Sequence, residues 1–217
     1  MSSVLLSLTL AGSSPSPWGF QMNKPALLLA TMVLLLVALS GFDSSFSFEN
    51  DFPVDLSASE VLAFENLVST VEIAHEKFRS LAVAIPAEAY LWRPMDGVRS
   101  VSEVYRHIAA DNFFVPTLMG IAAPPDTGIN EDASTFRAFQ ERELTRDEVI
   151  ETVDASFEFL SGAMEATASD LDRQITLGTS ATTVGDVWIR AVVHLHEHLG
   201  QSIAYARTNE VVPPWSN

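Results

Sequence analysis

From Ala58 onward the apolar residues fall into four long stretches with helical spacing, separated by connections bearing Pro and Gly. In the first, Ala58 to Ala84, the residues Val61, Phe64, Leu67, Val68, Val71, Phe78 and Leu81 recur at three- and four-residue steps. Pro86 ends it, because proline has no amide hydrogen with which to continue a helix. The second follows Gly97, takes Ser100 or Ser102 as its cap, and runs to about Ile121 ahead of Pro124 and Pro125. Residues 126–142 form a long connection with a short helix over 133–141. The third stretch spans Arg146 to Ala168, with Val149, Val153, Phe157, Leu160 and Met164 on one side, and the fourth opens at Thr182 or Thr183 and ends near Thr208. No stretch alternates convincingly as a strand does, and no internal repeat is visible. Four amphipathic helices of this length can bury one another's stripes, so the pattern predicts an all-α four-helix bundle over residues 58–209, with a short tail at 210–217.

The chain ahead of the bundle has a different character. Residues 1–42 hold a single charged side chain, Lys24, and Ala26 to Leu39 is a run of 14 residues interrupted only by Thr31. A membrane span needs about 20 apolar residues, so this run fits the apolar region of a secretory signal, with small residues Ala38 and Ser40 at the cleavage positions. Residues 1–40 are therefore expected to be a signal segment removed after Ser40, and the mature protein to be secreted or periplasmic without stable membrane insertion. The alternative is an uncleaved anchor. Because residues 1–21 carry no charge and a signal begins with its positive end, Met22 is the expected translation start. Residues 41–57 mix Ser, Asp, Gly and Pro without a period and read as a linker.

Composition narrows the chemistry. Of 217 residues, 28 are acidic, 12 are Lys or Arg, five are His and none is Cys, for a formal charge of −16. Without cysteine there is no disulfide framework, thiolate zinc site, iron–sulfur cluster or cysteine nucleophile, so any metal must be held by His, Asp or Glu. A charge of −16 repels a phosphate backbone and argues against a nucleic-acid partner.

The chemistry-bearing residues concentrate in His194-Leu195-His196-Glu197-His198. On a helix, residues four apart lie about 40° apart around the axis and one turn up, so His194 and His198 can share one metal ion. His196 points about 200° away from His194 and is expected to stay outside the site. The same stripe carries Val187, Ala191, Gln201 and Tyr205, which turns the pair toward the bundle interior. Two imidazoles are too few, since a divalent ion with an open position usually takes three protein ligands. The best third ligand is His107, which lies between Val104 and Ile108 on the second helix. A lone histidine on such a flank is more often a core residue satisfied by a hydrogen bond, but three histidines on faces that can converge shift the balance. Glu103 and Asp111, one turn before and after His107, are candidates to orient it or to balance an ion's charge, the alternative being an ordinary solvated or helix-pairing carboxylate, which Glu103 fits better.

Two zinc-protease patterns can be tested. His-Glu-x-x-His fails, because His198-Leu199-Gly200 follows His196-Glu197. The inverted His-x-x-Glu-His pattern fits residues 194–198 literally, but those enzymes need a downstream glutamate ligand and a larger α/β scaffold, and only Glu210 in a Pro-rich tail follows.

Taken together, His194-x-x-x-His198-x-Gly200-Gln201, His107 on the second helix, and Leu91-Trp92-Arg93-Pro94 followed by Gly97-Val98-Arg99-Ser100-Val101 resemble the DinB/YfiT-like metalloenzymes over about residues 58–209. The resemblance implies a four-helix bundle with a divalent ion, zinc or nickel, held by His107, His194 and His198, and it implies frequent homodimers. Its better-understood relatives include thiol-cofactor-dependent transferases and isomerases. The expected function is a metal-dependent enzyme, a transferase or hydrolase acting on an unidentified small-molecule substrate, and no side chain stands out as its catalytic base. The alternative is a noncatalytic bundle that the metal stabilises. Trp92 and Trp188 are expected to be packing anchors and His75 a surface or structural residue. Gly200 is expected to permit close helix approach, and Gln201 either to hydrogen-bond across the site or merely to be polar.

Overall fold

A computed structural model describes residues 56–216. The expected signal segment and nearly all of the 41–57 linker lie outside the described residues. Five helices follow in chain order: α1 (Leu56–Ala84), α2 (Val101–Thr117), α3 (Ala133–Gln140), α4 (Arg146–Ala166) and α5 (Val184–Thr208). Helices α1, α2, α4 and α5 form the four-helix bundle, and α3 is the short helix of the long connection. Side-chain oxygens decide where the helices begin. Ser100 and Thr145 each form a reciprocal capping box, with Glu103 and Glu148 respectively, and the Thr183 hydroxyl accepts the Asp186 amide hydrogen.

Packing defines a ring. Helix α1 packs against α4 and α5, and α2 packs against the same two, so α1 and α2 occupy opposite corners. The segment 85–100, with its 3₁₀ turn Ala87–Leu91, carries the chain across the end of the bundle. All five expected core residues of α4, from Val149 to Met164, are buried. Phe78 ties α1 to α2 and α4, with ring centroids 6.0 Å from Tyr105 and 5.7 Å from Phe157. Trp188 is fully buried and donates its indole hydrogen to Thr167 Oγ1 over 2.9 Å. The opening of the α1 stripe is less covered than its spacing suggests: Val61 is exposed, and Leu67 and Val68 are half-buried.

Three features depart from the sequence expectation. Helix α2 stops at Thr117 rather than Ile121: the chain tightens into turns, with Met119 N donating to Pro116 O over 3.0 Å, and Gly120 at φ +89° turns it back so that Ile121 N also donates to Pro116 O over 3.1 Å. A two-stranded antiparallel hairpin precedes α5, pairing β1 (Gln174–Leu177) with β2 (Ser180–Thr183). Its turn depends on Gly178 at φ +60°, and its alternation is only four residues long on each strand, too short to register as a period. Finally, the tail is not merely trailing chain: the 3₁₀ turn Pro214–Ser216 packs on α1, with the Trp215 ring 6.0 Å from Lys77 Nζ.

Candidate metal centre

Helices α2 and α5 are neighbours in the ring, and their facing surfaces bring His107, His194 and His198 together. Each imidazole offers one ring nitrogen such that the three atoms lie within 4.8 Å of one another. Ring centroids are 5.2 Å apart for His107 and His194, 4.7 Å for His107 and His198, and 4.4 Å for His194 and His198. His107 is buried, and the α5 pair is half-buried.

Neighbouring polar groups orient the rings. His107 Nδ1 meets Gln140 Oε1 at 3.0 Å, and His198 Nδ1 meets Gln201 Oε1 at 2.7 Å. An amide oxygen only accepts, so both Nδ1 atoms carry hydrogen and the Nε2 lone pairs are left for a metal. His194 Nε2 lies 3.0 Å from His198 Nε2, and His194 Nδ1 lies 3.2 Å from Asp111 Oδ2. The same carboxylate oxygen is 3.3 Å from His107 Nε2. Three imidazoles on two helices beside a carboxylate are a donor set that could hold a divalent ion.

The electrostatics favour neutral rings at His107 and His194. Burial pushes His107 down to about 3, with the positive charges of Arg99 and of the other two histidines adding to it and the Gln140 hydrogen bond opposing it. Burial and the nearby His198 also lower His194, against the pull of Glu197. Asp111 moves the other way, raised by burial to about 7 despite Arg99. The Asp111 contacts with the two rings are therefore not ion pairs, since both charged partners are disfavoured there, and a single Oδ2 proton can be shared with one ring nitrogen at a time.

Most of the expected roles hold in geometry. His196 turns away, with Nδ1 2.8 Å from the Val192 carbonyl oxygen. His75 is structural: it stacks on Phe157 at 4.7 Å and meets Asp154 Oδ1 at 2.8 Å. Gln201 bonds along its own helix rather than across the site: its oxygen meets His198 Nδ1, and its amide donates to Tyr205 Oη, which donates to the Arg99 carbonyl over 3.2 Å. Trp92 packs edge-on against Tyr205 with centroids 5.3 Å apart. Glu103 does not reach His107 but closes the α2 capping box and pairs with Arg93 at 3.2 Å. Gly200 permits no close approach, because a Cβ there would meet nothing within 4 Å. Gln140 carries no signal in the sequence, since it lies 33 residues from His107 and belongs to no spacing pattern.

Two clefts flank the cluster. One, of about 410 Å³, is polar and includes Arg93, Arg99 and Gln140. The other, of about 250 Å³, has His194 and Asp111 in its wall.

Comparison with known proteins gives a consistent picture. The family model of the DinB superfamily matches residues 70–202. Among solved structures, a DinB-like protein from Bacillus cereus is 13% identical, with a TM-score of 0.54 over 69% of this chain and 95% of its own. A DinB-like protein from Bacillus subtilis is 20% identical, with a TM-score of 0.50 over 67% of this chain and 92% of its own. At these identities the likeness is one of fold. No curated protein matches the chain.

Proposed function

The chain belongs to the DinB superfamily, and from that premise we propose that it is an exported metal-dependent enzyme whose divalent ion, zinc or nickel, is held by His107, His194 and His198. The observation that carries this reading is the convergence of three imidazole nitrogens within 4.8 Å, two on one helix and the third on its neighbour. The chemistry such a centre supplies when loaded is Lewis-acid polarisation of a substrate oxygen or sulfur. The chain's own groups prepare it. Gln140 and Gln201 hold His107 and His198 in the tautomer that presents Nε2, and Asp111 Oδ2 accepts from His194 Nδ1 once His194 presents Nε2 as well. Asp111 also supplies a negative charge beside three neutral ligands. In the absence of an ion it holds a proton at Oδ2 up to about neutral pH, within reach of both His107 and His194.

The same carboxylate supports a second reading. Asp111 as a fourth ligand would close the site and make the ion structural, whereas Asp111 as the partner of His194 would leave three imidazoles as the protein ligands. Metal analysis of protein purified without a His tag tests the centre: about one zinc or nickel per chain is expected, lost in His107→Ala, His194→Ala and His198→Ala and retained in His196→Ala. Equal losses in all four variants would defeat the assignment. Affinity in Asp111→Asn separates the two readings, since loss of an outer hydrogen-bond partner typically costs about 10–100-fold while binding stays stoichiometric. Export rests on residues 1–40, and N-terminal sequencing of mature material should begin at Gly41.

A further inference from the structure

The 250 Å³ cleft is the one that shares its wall with the cluster, through His194 and Asp111. Its remaining lining is mostly apolar, with Val115 from α2, Leu177 from the end of β1 and Val187 from α5. One cation belongs to it. Arg190 lines the cleft one helical turn before His194, so its guanidinium stem rises from the same face of α5, about 6 Å along the axis. In a chain with 28 acidic residues, Arg190 forms no salt bridge among the described residues, a property it shares with Arg99 and Arg137. A guanidinium left unpaired at the mouth of an apolar cleft is placed to take an anion, and its planar fork suits a carboxylate. At roughly 30 Å³ per water the cleft holds the volume of about eight waters, below the usual range for drug-sized ligands and right for a molecule of about six to ten heavy atoms.

We infer that this cleft binds a small monoanion with an apolar body: a carboxylate against Arg190, a short aliphatic or aromatic portion against Val115, Leu177 and Val187, and the opposite end at His194 and Asp111. The inference rests on the proposed function only in taking the His194 end as the reacting end. The polar cleft on the other side also carries cations, Arg99 and Arg137, but it offers little apolar surface to an organic body and none of the three histidines lines it.

Titration calorimetry with hexanoate and with hexylammonium, on the full mature chain with zinc and again with chelator, tests this. Hexanoate should bind and hexylammonium should not. Arg190→Gln should weaken hexanoate at least tenfold while zinc stoichiometry stays unchanged, and Val115→Trp, which fills the cleft from α2, should abolish hexanoate binding. Helical content by circular dichroism checks that both variants fold, and Leu177→Trp serves in place of Val115→Trp if that variant does not. Equal binding of the two probes, no binding of hexanoate, or a loss below twofold in Arg190→Gln would overturn the inference. Zinc-dependent hexanoate binding that ignores Arg190 would overturn it too, by placing the carboxylate at the ion. Arg190-dependent binding in protein that takes up no metal would instead sustain the cleft and defeat the metal centre.

Discussion

Asp111 is the residue on which the energetics of the site turn, because its carboxyl and the histidines titrate in opposite senses. His107 stays neutral in the fold down to about 3, while an unfolded histidine takes a proton below ~6.5. Its contribution to stability is thus present above pH ~6.5 and is lost as pH falls toward 3, and His194, also lowered, acts the same way. Asp111 keeps its proton up to about 7 in the fold, while an unfolded aspartate releases it above ~3.9. Its contribution is present below ~3.9 and is lost as pH rises through 7, so between pH 4 and 6.5 it offsets the histidines. Metal-free Asp111→Asn should therefore lose stability more steeply than wild type between pH 6.5 and 4, and exceed it at pH 8 by about 1–3 kcal/mol. Urea unfolding in the presence of chelator measures both, and parallel stability curves would refute the account.

At the level of elements, the ring of helices is held by end-to-side contacts as well as by the core. Arg146, the first residue of α4, donates from Nη2 to the Val83 carbonyl over 2.7 Å and from Nε to the Ile85 carbonyl over 3.2 Å. These carbonyls belong to the last turn of α1 and the residue just beyond it, which no intrahelical amide can satisfy. Arg146→Ala should cost about 1–3 kcal/mol, and because the contact lies on α1 and α4 it should leave metal stoichiometry intact. A drop in Tm without a change in bound metal is the expected result. The short helix α3 has the opposite significance: it contributes little core, with Phe139 as its buried residue, yet Gln140 at its end sets the tautomer of His107.

For the molecule as a whole, the metal centre joins two helices that no covalent connection places together, so loading it should be read as stability. Zinc at about 100 times its Kd adds ~2.7 kcal/mol, a rise of about 5–10 °C in Tm for a domain of this size. His107→Ala should abolish that rise while keeping helical content, because the α5 pair alone no longer bridges α2 and α5. If His107 were only a satisfied core histidine, its loss would lower Tm equally with zinc and with chelator. The surface excess of acid has a separate consequence: among the described residues the cations near the cluster, Arg99 and Arg190, stand out against it, and they border different clefts.

Much of this is local and therefore written in the chain. Three- and four-residue apolar steps fix where α1, α4 and α5 run, capping hydroxyls at Ser100, Thr145 and Thr183 fix where helices start, and the four-residue step from His194 to His198 sets one half of the site while excluding His196. The absence of cysteine limits the donors to imidazole and carboxylate. What the tertiary structure decided is non-local. The same amphipathic stripes could be packed in other orders around a ring, and only the order that sets α2 beside α5 brings His107 to the pair, a step the sequence supported only through the expected fold and family resemblance. The Gln140 contact, the double use of Asp111 and the cleft with Arg190 all depend on side chains meeting across elements, the hairpin lies below the length at which alternation is legible, and the tail is ordered by packing on α1. Helical periodicity tells each residue which way to face; which neighbour it then meets is settled by the fit of whole surfaces, and that carries no short-range signature.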